Sequence, residues 1–168
     1  EFSRLALLAP PGSDGLVMLP YLEKAATLER LRASGVLHGL TDANSTPAHI
    51  ARAAVEGVLC SLAGSLDALM LHGARPERLL LVGGAARSGA VQQIAPTVFS
   101  RPVVILGSEE LGAYGAARQA AWTVTATLEA PAWRTAAQML YGEAIPSIRA
   151  RYDDARSRFL RWNATDRS

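Results

Sequence analysis

Leu79-Leu80-Leu81-Val82-Gly83-Gly84-Ala85-Ala86-Arg87-Ser88 decides how the rest of this chain is read. Four large aliphatic residues in a row predict a strand buried on both faces. Two glycines then remove every side chain where that strand ends, and an apolar-periodic stretch from Val91 to Phe99 predicts a helix. Glycine reaches φ > 0 and lets another surface approach the backbone. The free N–H groups of a helix start favour a phosphate or a polar ring edge. A tight strand-to-helix turn with no ligand satisfies the same residues, and a lone Gly-Gly is weak support for a ligand.

Around this stretch, helical and strand patterns alternate. Ser45-Thr46-Pro47 opens the longest helix, with Thr46 as its N-cap and Pro47 at the first helical position. Ile50, Ala54, Val58, Leu62, Leu66 and Leu69 recur as one stripe expected to be buried. The small residues Ala51, Ala53, Gly57 and Gly64 would let that helix lie close to a neighbour, and Gly73 ends it. Upstream, Ser3–Ala9 reads as a short amphipathic piece, Pro10–Gly15 as a turn cluster and Leu16–Leu19 as a strand. Glu23–Ala33 has helical spacing, and Gly35–Thr46 reads as a loop or short strand. Downstream, Val103–Leu106 reads as a strand and Gly112–Val124 as a small-residue helix. Trp133–Leu140 and Ile148–Trp162 read as peripheral helices, broken near Gly142 and Pro146. The alternation predicts an α/β layer fold.

The bulk numbers bound the function. The 168 residues suffice for one domain with a real core, and 49% hydrophobic with 19% charged residues is a globular composition. A net charge of +2, from 17 basic and 15 acidic residues, is too balanced to imply nucleic acid. The late arginines (Arg149, Arg151, Arg156, Arg158, Arg161) interleave with Asp153 and Asp154, as on a solvated helix face. Cys60, the one cysteine, sits in an apolar run and is expected to be a small core residue. The sequence is expected to hold no disulfide framework, cysteine metal cluster, membrane span or basic-then-apolar leader, so a cytoplasmic location follows. Asn163-Ala164-Thr165 fits a glycosylation sequon, with nothing else pointing to secretion.

Several stretches together resemble the C-terminal half of the FGGY carbohydrate kinases, and its xylulokinase members in particular. The first is Gly35-Val36-Leu37-His38-Gly39-Leu40, a spacer, then His49-Ile50-Ala51-Arg52-Ala53-Ala54-Val55-Glu56. It is similar to the family's C-terminal signature. The second is Leu81–Ser88 continuing through Gln92-Gln93-Ile94-Ala95 to Pro102-Val103, which looks like the adenine-side nucleotide motif. Gly115-Ala116-Ala117-Arg118 and Ala9–Gly15 with Leu19-Pro20-Tyr21 complete a collinear set over roughly residues 5 to 133.

The resemblance implies an actin-like, ribonuclease-H-like nucleotide domain over residues 1–133, with residues 134–168 as peripheral helices. It implies transfer of the ATP γ-phosphoryl to a ketopentose hydroxyl, with Mg²⁺ bridging the phosphates and an aspartate taking the hydroxyl proton. Gluconate, ribulose or glycerol is an alternative acceptor, and a non-catalytic actin-like remnant is an alternative from another class. Carried onto this sequence, Gly83, Gly84, Ala85 and Ser88 would line the nucleotide, with Gly89 nearby. Ser88 is equally placed to cap the following helix. Arg87 could approach a phosphate or remain a solvated turn residue. Glu56, in an apolar run, needs partners and is expected in a hydrogen-bonded structural role. His38, His49 and His72 lack ligand spacing and are expected at the surface or in caps.

The family's catalytic aspartate lies in a Gly-Asp motif upstream of everything matched here. The chain is therefore expected to carry no catalytic residue and no metal ligand of its own, and to be inactive without an N-terminal half. The sugar would bind only with that half. An exposed apolar face is then expected to favour self-association, a homodimer included. The family's Gly-Glu-Arg-Thr-Pro is replaced here by the divergent segment Glu23–Arg32. Codons for Leu28-Glu29-Arg30-Leu31 in a shifted frame can encode Arg-Thr-Pro, so the gene's nucleotide sequence tests a compensated frameshift.

Overall fold

The computed structural model describes residues 1–21, 34–107, 110–133 and 136–165, with side chains through residue 162. The expected helix Glu23–Ala33, the divergent segment Glu23–Arg32 and the sequon side chains lie outside the described residues. In chain order the elements are α1 (Phe2–Leu8), β1 (Val17–Leu19), β2 (Val36–His38), α2 (Pro47–Leu71) and β3 (Leu79–Leu81). Then follow α3 (Gly89–Phe99), β4 (Val103–Leu106), α4 (Leu111–Thr125), β5 (Ala137–Leu140) and α5 (Pro146–Thr165). β1 and β2 pair antiparallel, Met18 opposite Leu37. The second sheet runs β3-β4-β5 and is mixed: Leu80 lies opposite Val104 in a parallel pair, and Val104 opposite Met139 in an antiparallel one.

α2 begins where the sequence places it. Thr46 Oγ1 accepts the His49 N–H at 3.3 Å and Pro47 occupies the first turn. It ends in a Schellman motif, the Gly73 N–H donating to Met70 and the Ala74 N–H to Leu69, with Gly73 at φ 91°. The core lies among α2, α3, α5 and β1. Ala51, Val55, Leu59 and Ala63 meet Ile94 and Val98 of α3, Leu19 of β1, and Ile148, Tyr152 and Ala155 of α5. Cys60 is buried there, as expected.

Four expectations are corrected. The stripe Ile50–Val58–Leu62–Leu69 is not buried: Leu62 is 49% and Leu69 59% exposed. α2 instead packs through the neighbouring face that holds Ala51, Ala53 and Gly57, while Gly64, expected on the packed side, is exposed. Gly57 makes this possible, because a methyl group there would collide with the Met18 carbonyl. Periodicity assigned residues to a common face, and the close approach allowed by Ala51, Ala53 and Gly57 decided which face is covered. β3 is not covered on both faces either: Leu79 and Leu81 touch the core, while Leu80 is 43% exposed. Finally, Trp133–Leu140 is not a helix, since 137–140 form β5 and pair with β4. α5 is not peripheral, since Ile148, Tyr152, Ala155 and Phe159 line the core. Pairing with a distant strand outweighed local helical spacing in Trp133–Leu140.

α2 is also long and apolar enough to cross a membrane by length and composition, a test that a core helix passes as well. It carries a buried ion pair in its first half, however, as a core helix can: Arg52 Nε donates to Glu56 Oε1 at 2.7 Å.

Candidate functional site

The parallel pair β3–β4 sets the site. Ligands of open α/β sheets bind beyond the carboxyl ends of their parallel strands, and here both strands end at glycine. After β3, Gly83 has φ 91° and ψ −177°, a conformation essentially restricted to glycine. It turns the chain into the single helical turn Gly84–Arg87. That turn is pinned by the Gln92 side chain, whose Nε2 donates to the Ala86 carbonyl at 2.7 Å. After β4, Gly107 leads toward the start of α4.

Between these two ends lies an open cleft of about 710 Å³. One wall is Leu81, Val82, Gly83 and Gly84, with Arg87; the other is Ile105, Leu106 and Leu111, with Glu110. Among the described residues, a Cβ added at Gly83 or Gly84 would meet no atom beyond its chain neighbours within 4 Å. No packing within the described chain requires a bare backbone at Gly84, and the space in front of it is open to a ligand.

The candidate residues therefore separate. Gly83 and Gly84 line the cleft. Ala85 is exposed but is not among the lining residues. Ser88 serves as the N-cap of α3, its Oγ accepting the Val91 N–H at 3.5 Å and donating to Ser3 Oγ at 3.3 Å. Ser3 of α1 accepts the Ala90 N–H at 2.8 Å, so two hydroxyls serve one helix start. Gly89 opens α3 beside Ser3. Arg87 is exposed, and its Nη2 stands 3.9 Å from Glu110 Oε1 across the cleft. Sequence reasoning overlooked the second wall, formed among the described residues by Ile105, Leu106, Gly107, Glu110, Leu111 and Gly112. Its signal was present, because a second strand ending in glycine after a strand–helix unit marks the same crevice.

The signature stretches Gly35–Leu40 and His49–Glu56 are architectural. They hold the turn Gly12-Ser13-Asp14-Gly15, in which all four residues have positive φ. Gly39 approaches this turn so closely that its Cβ would stand 2.5 Å from the Gly15 carbonyl oxygen. Asn44, fully buried, donates to the Asp14 and Gly39 carbonyls at 3.1 and 2.9 Å. Glu56 Oε1 accepts the Gly12 N–H at 3.0 Å as well as Arg52 Nε, and Arg52 Nη1 donates to the Ala9 carbonyl at 3.3 Å. Glu56 is thus held as a structural carboxylate. His49 bridges Thr46 Oγ1, at 2.7 Å from Nδ1, and Asp14 Oδ2, at 3.0 Å from Nε2. His72 Nδ1 lies 2.9 Å from the Ala68 carbonyl at the end of α2. Burial, and then the Glu56 carboxylate, push the Cys60 thiol up to about 12, so it is no nucleophile near neutral pH.

Comparison with known proteins identifies the architecture. The family model for the C-terminal domain of the FGGY family of carbohydrate kinases matches residues 2–124. The chain belongs to this family. It is 41% identical over 131 residues to a xylulose kinase of Streptomyces coelicolor, covering 76% of this chain and 27% of that protein. It is 35% identical over 116 residues to a gluconokinase of Bacillus subtilis, covering 68% and 22%. The crystal structure of xylulose kinase from Bifidobacterium adolescentis superposes with a TM-score of 0.78 at 37% identity, over 93% of this chain and 31% of that one. The chain thus spans about a quarter of the length of the curated xylulose kinase. The helices on a mixed sheet are those of the actin-like fold of FGGY sugar kinases.

Proposed function

We propose that this chain is the nucleotide-binding part of a xylulokinase-like sugar kinase, in which the ATP γ-phosphoryl passes to a ketopentose hydroxyl. The observation that carries the proposal is the cleft in front of Gly83 and Gly84, whose bare backbone faces open space at the ends of two parallel strands. Apolar walls suit a flat base, and the backbone at Gly84 suits close approach of the sugar. The similarity to xylulose kinases supports the ketopentose; the similarity to a gluconokinase supports a related acceptor as the second reading.

Gly83 and Gly84 are proposed to contact the nucleotide directly, with Ala85, Ser88 and Gly89 shaping the turn behind them. Among the described residues, no group of three or more His, Cys, Asp or Glu side chains is placed to hold a metal. Mg²⁺, which the family resemblance implies, is therefore proposed to arrive with the nucleotide's phosphates. Phosphoryl transfer rests on positioning and charge neutralisation, and this chain supplies the positioning of the base.

Calorimetric titration of the chain with ADP tests the reading. Binding is expected, and Gly84→Val should remove it with little change in melting temperature, because no described residue beyond the chain neighbours lies within 4 Å of a Cβ there. Loss of binding without loss of stability supports the cleft; no binding by the native sequence defeats it. Xylulose-dependent ATP consumption by this chain alone is expected to match the blank, and turnover above it would overturn the proposed division of labour.

A further inference from the structure

Among the described residues that line the cleft, two carry charge, Arg87 and Glu110. They stand on opposite walls. Arg87 closes the single turn after the glycines, and Glu110 is the residue before α4. With Arg87 Nη2 3.9 Å from Glu110 Oε1, the pair spans the cleft, and both side chains are exposed. An ion pair this exposed contributes little to the stability of the fold.

We propose that Arg87 and Glu110 form a strap across the cleft that closes over a planar aromatic ring and slows its escape. The inference rests on the nucleotide reading above and adds to it two positioning residues that retain the base. The pair strengthens when the cleft is filled. A ring beneath it excludes water from one side, which raises the attraction between the two charges. The planar guanidinium can also stack on the ring face, which an ammonium cannot match. Val82, Ile105, Leu106 and Leu111 provide the apolar walls that a flat ring would fill. Gln92, the other polar side chain here, already uses its Nε2 on the Ala86 carbonyl. The two ends of the strap belong to different strand-to-helix connections, so closing it also fixes the separation of the walls.

The test is stopped-flow dissociation of N-methylanthraniloyl-ADP from the 168-residue chain. Arg87→Ala and Glu110→Gln should each raise the dissociation rate about fivefold, within the range of a stacked cation, with association little changed. The double variant should dissociate no faster than either single one, because the strap needs both ends. Arg87→Lys keeps the charge without the planar stack and should recover retention in part. Unchanged rates in the single variants, multiplying effects in the double variant or full recovery with lysine would each overturn the strap. If the native sequence fails to bind the probe, the nucleotide reading falls and the strap with it. Binding by the native sequence with unaltered variants removes the strap alone.

Discussion

Cys60 and Glu56 show how single residues in the α2 core are constrained. Burial holds the Cys60 thiol protonated up to about 12, and burial followed by the nearby Tyr21 raises Tyr152 to about 12 as well. Both are acids whose folded pKa exceeds the unfolded one. Their contribution is therefore fully present below the unfolded values and is lost as pH rises toward the folded ones. For Cys60 that window opens at 9.0 and closes near 12. The melting temperature should fall as pH climbs through it, and Cys60→Ala should flatten the fall; an unchanged slope in that variant would refute the assignment. Ellman's reagent should leave the native thiol untouched at pH 8 and titrate it fully in urea. Glu56 is constrained by its partners instead, its Oε1 accepting from Arg52 Nε and the Gly12 N–H. Glu56→Ala leaves Arg52 buried without its counter-charge and should cost about 3 kcal/mol of stability by chemical denaturation. A cost under about 0.5 kcal/mol would mean that water replaces the carboxylate.

At the scale of the element, α2 shows which parts of a helix are legible in sequence. Its start and end were readable because Thr46, Pro47 and Gly73 act on backbone within one turn of themselves. Its buried face was not. Ile50, Val58, Leu62 and Leu69 form a good stripe, yet the covered face is the one on which Gly57 lets β1 approach. The elements that cover it, β1 with Met18 among them, are distant in sequence. A direct consequence is that Gly57→Ala must push α2 from the Met18 carbonyl and should cost about 1–3 kcal/mol in a thermal melt. A neutral result would show that the helix can shift freely. β5 repeats the lesson, because Ala137–Leu140 becomes a strand through pairing with Val103–Leu106 and not through its own pattern. The cleft divides in the same way. Gly83 and Gly84 announce themselves by composition, whereas Glu110 and Leu111 join the site only once two parallel strands end side by side.

At the scale of the whole molecule, α2 carries a row of exposed apolar side chains. Ile50, Val58, Leu62, Leu69 and Leu71 of α2 face outward, and Leu80 and Val82 are uncovered at the end of the second sheet. Exposed apolar side chains recurring along one helix are where an interface or an aggregation hazard is expected. The chain spans about a quarter of the curated xylulose kinase it matches, so in a longer relative such a face has other structure available to cover it. In this chain by itself, the cheapest cover is a second copy, since apolar burial stabilises association at roughly 25 cal/mol per Å² removed from water. Sedimentation velocity of the chain should therefore show concentration-dependent association. Leu62→Glu combined with Leu69→Lys places opposite charges on the stripe without touching the core, where α2 packs through Ala51, Val55, Leu59 and Ala63. That variant should sediment as a monomer and melt within about 0.5 kcal/mol of the native sequence. If it instead loses the fold, the stripe is part of the core after all. A native sequence that stays monomeric at every concentration would show that the exposed stripe does not drive association.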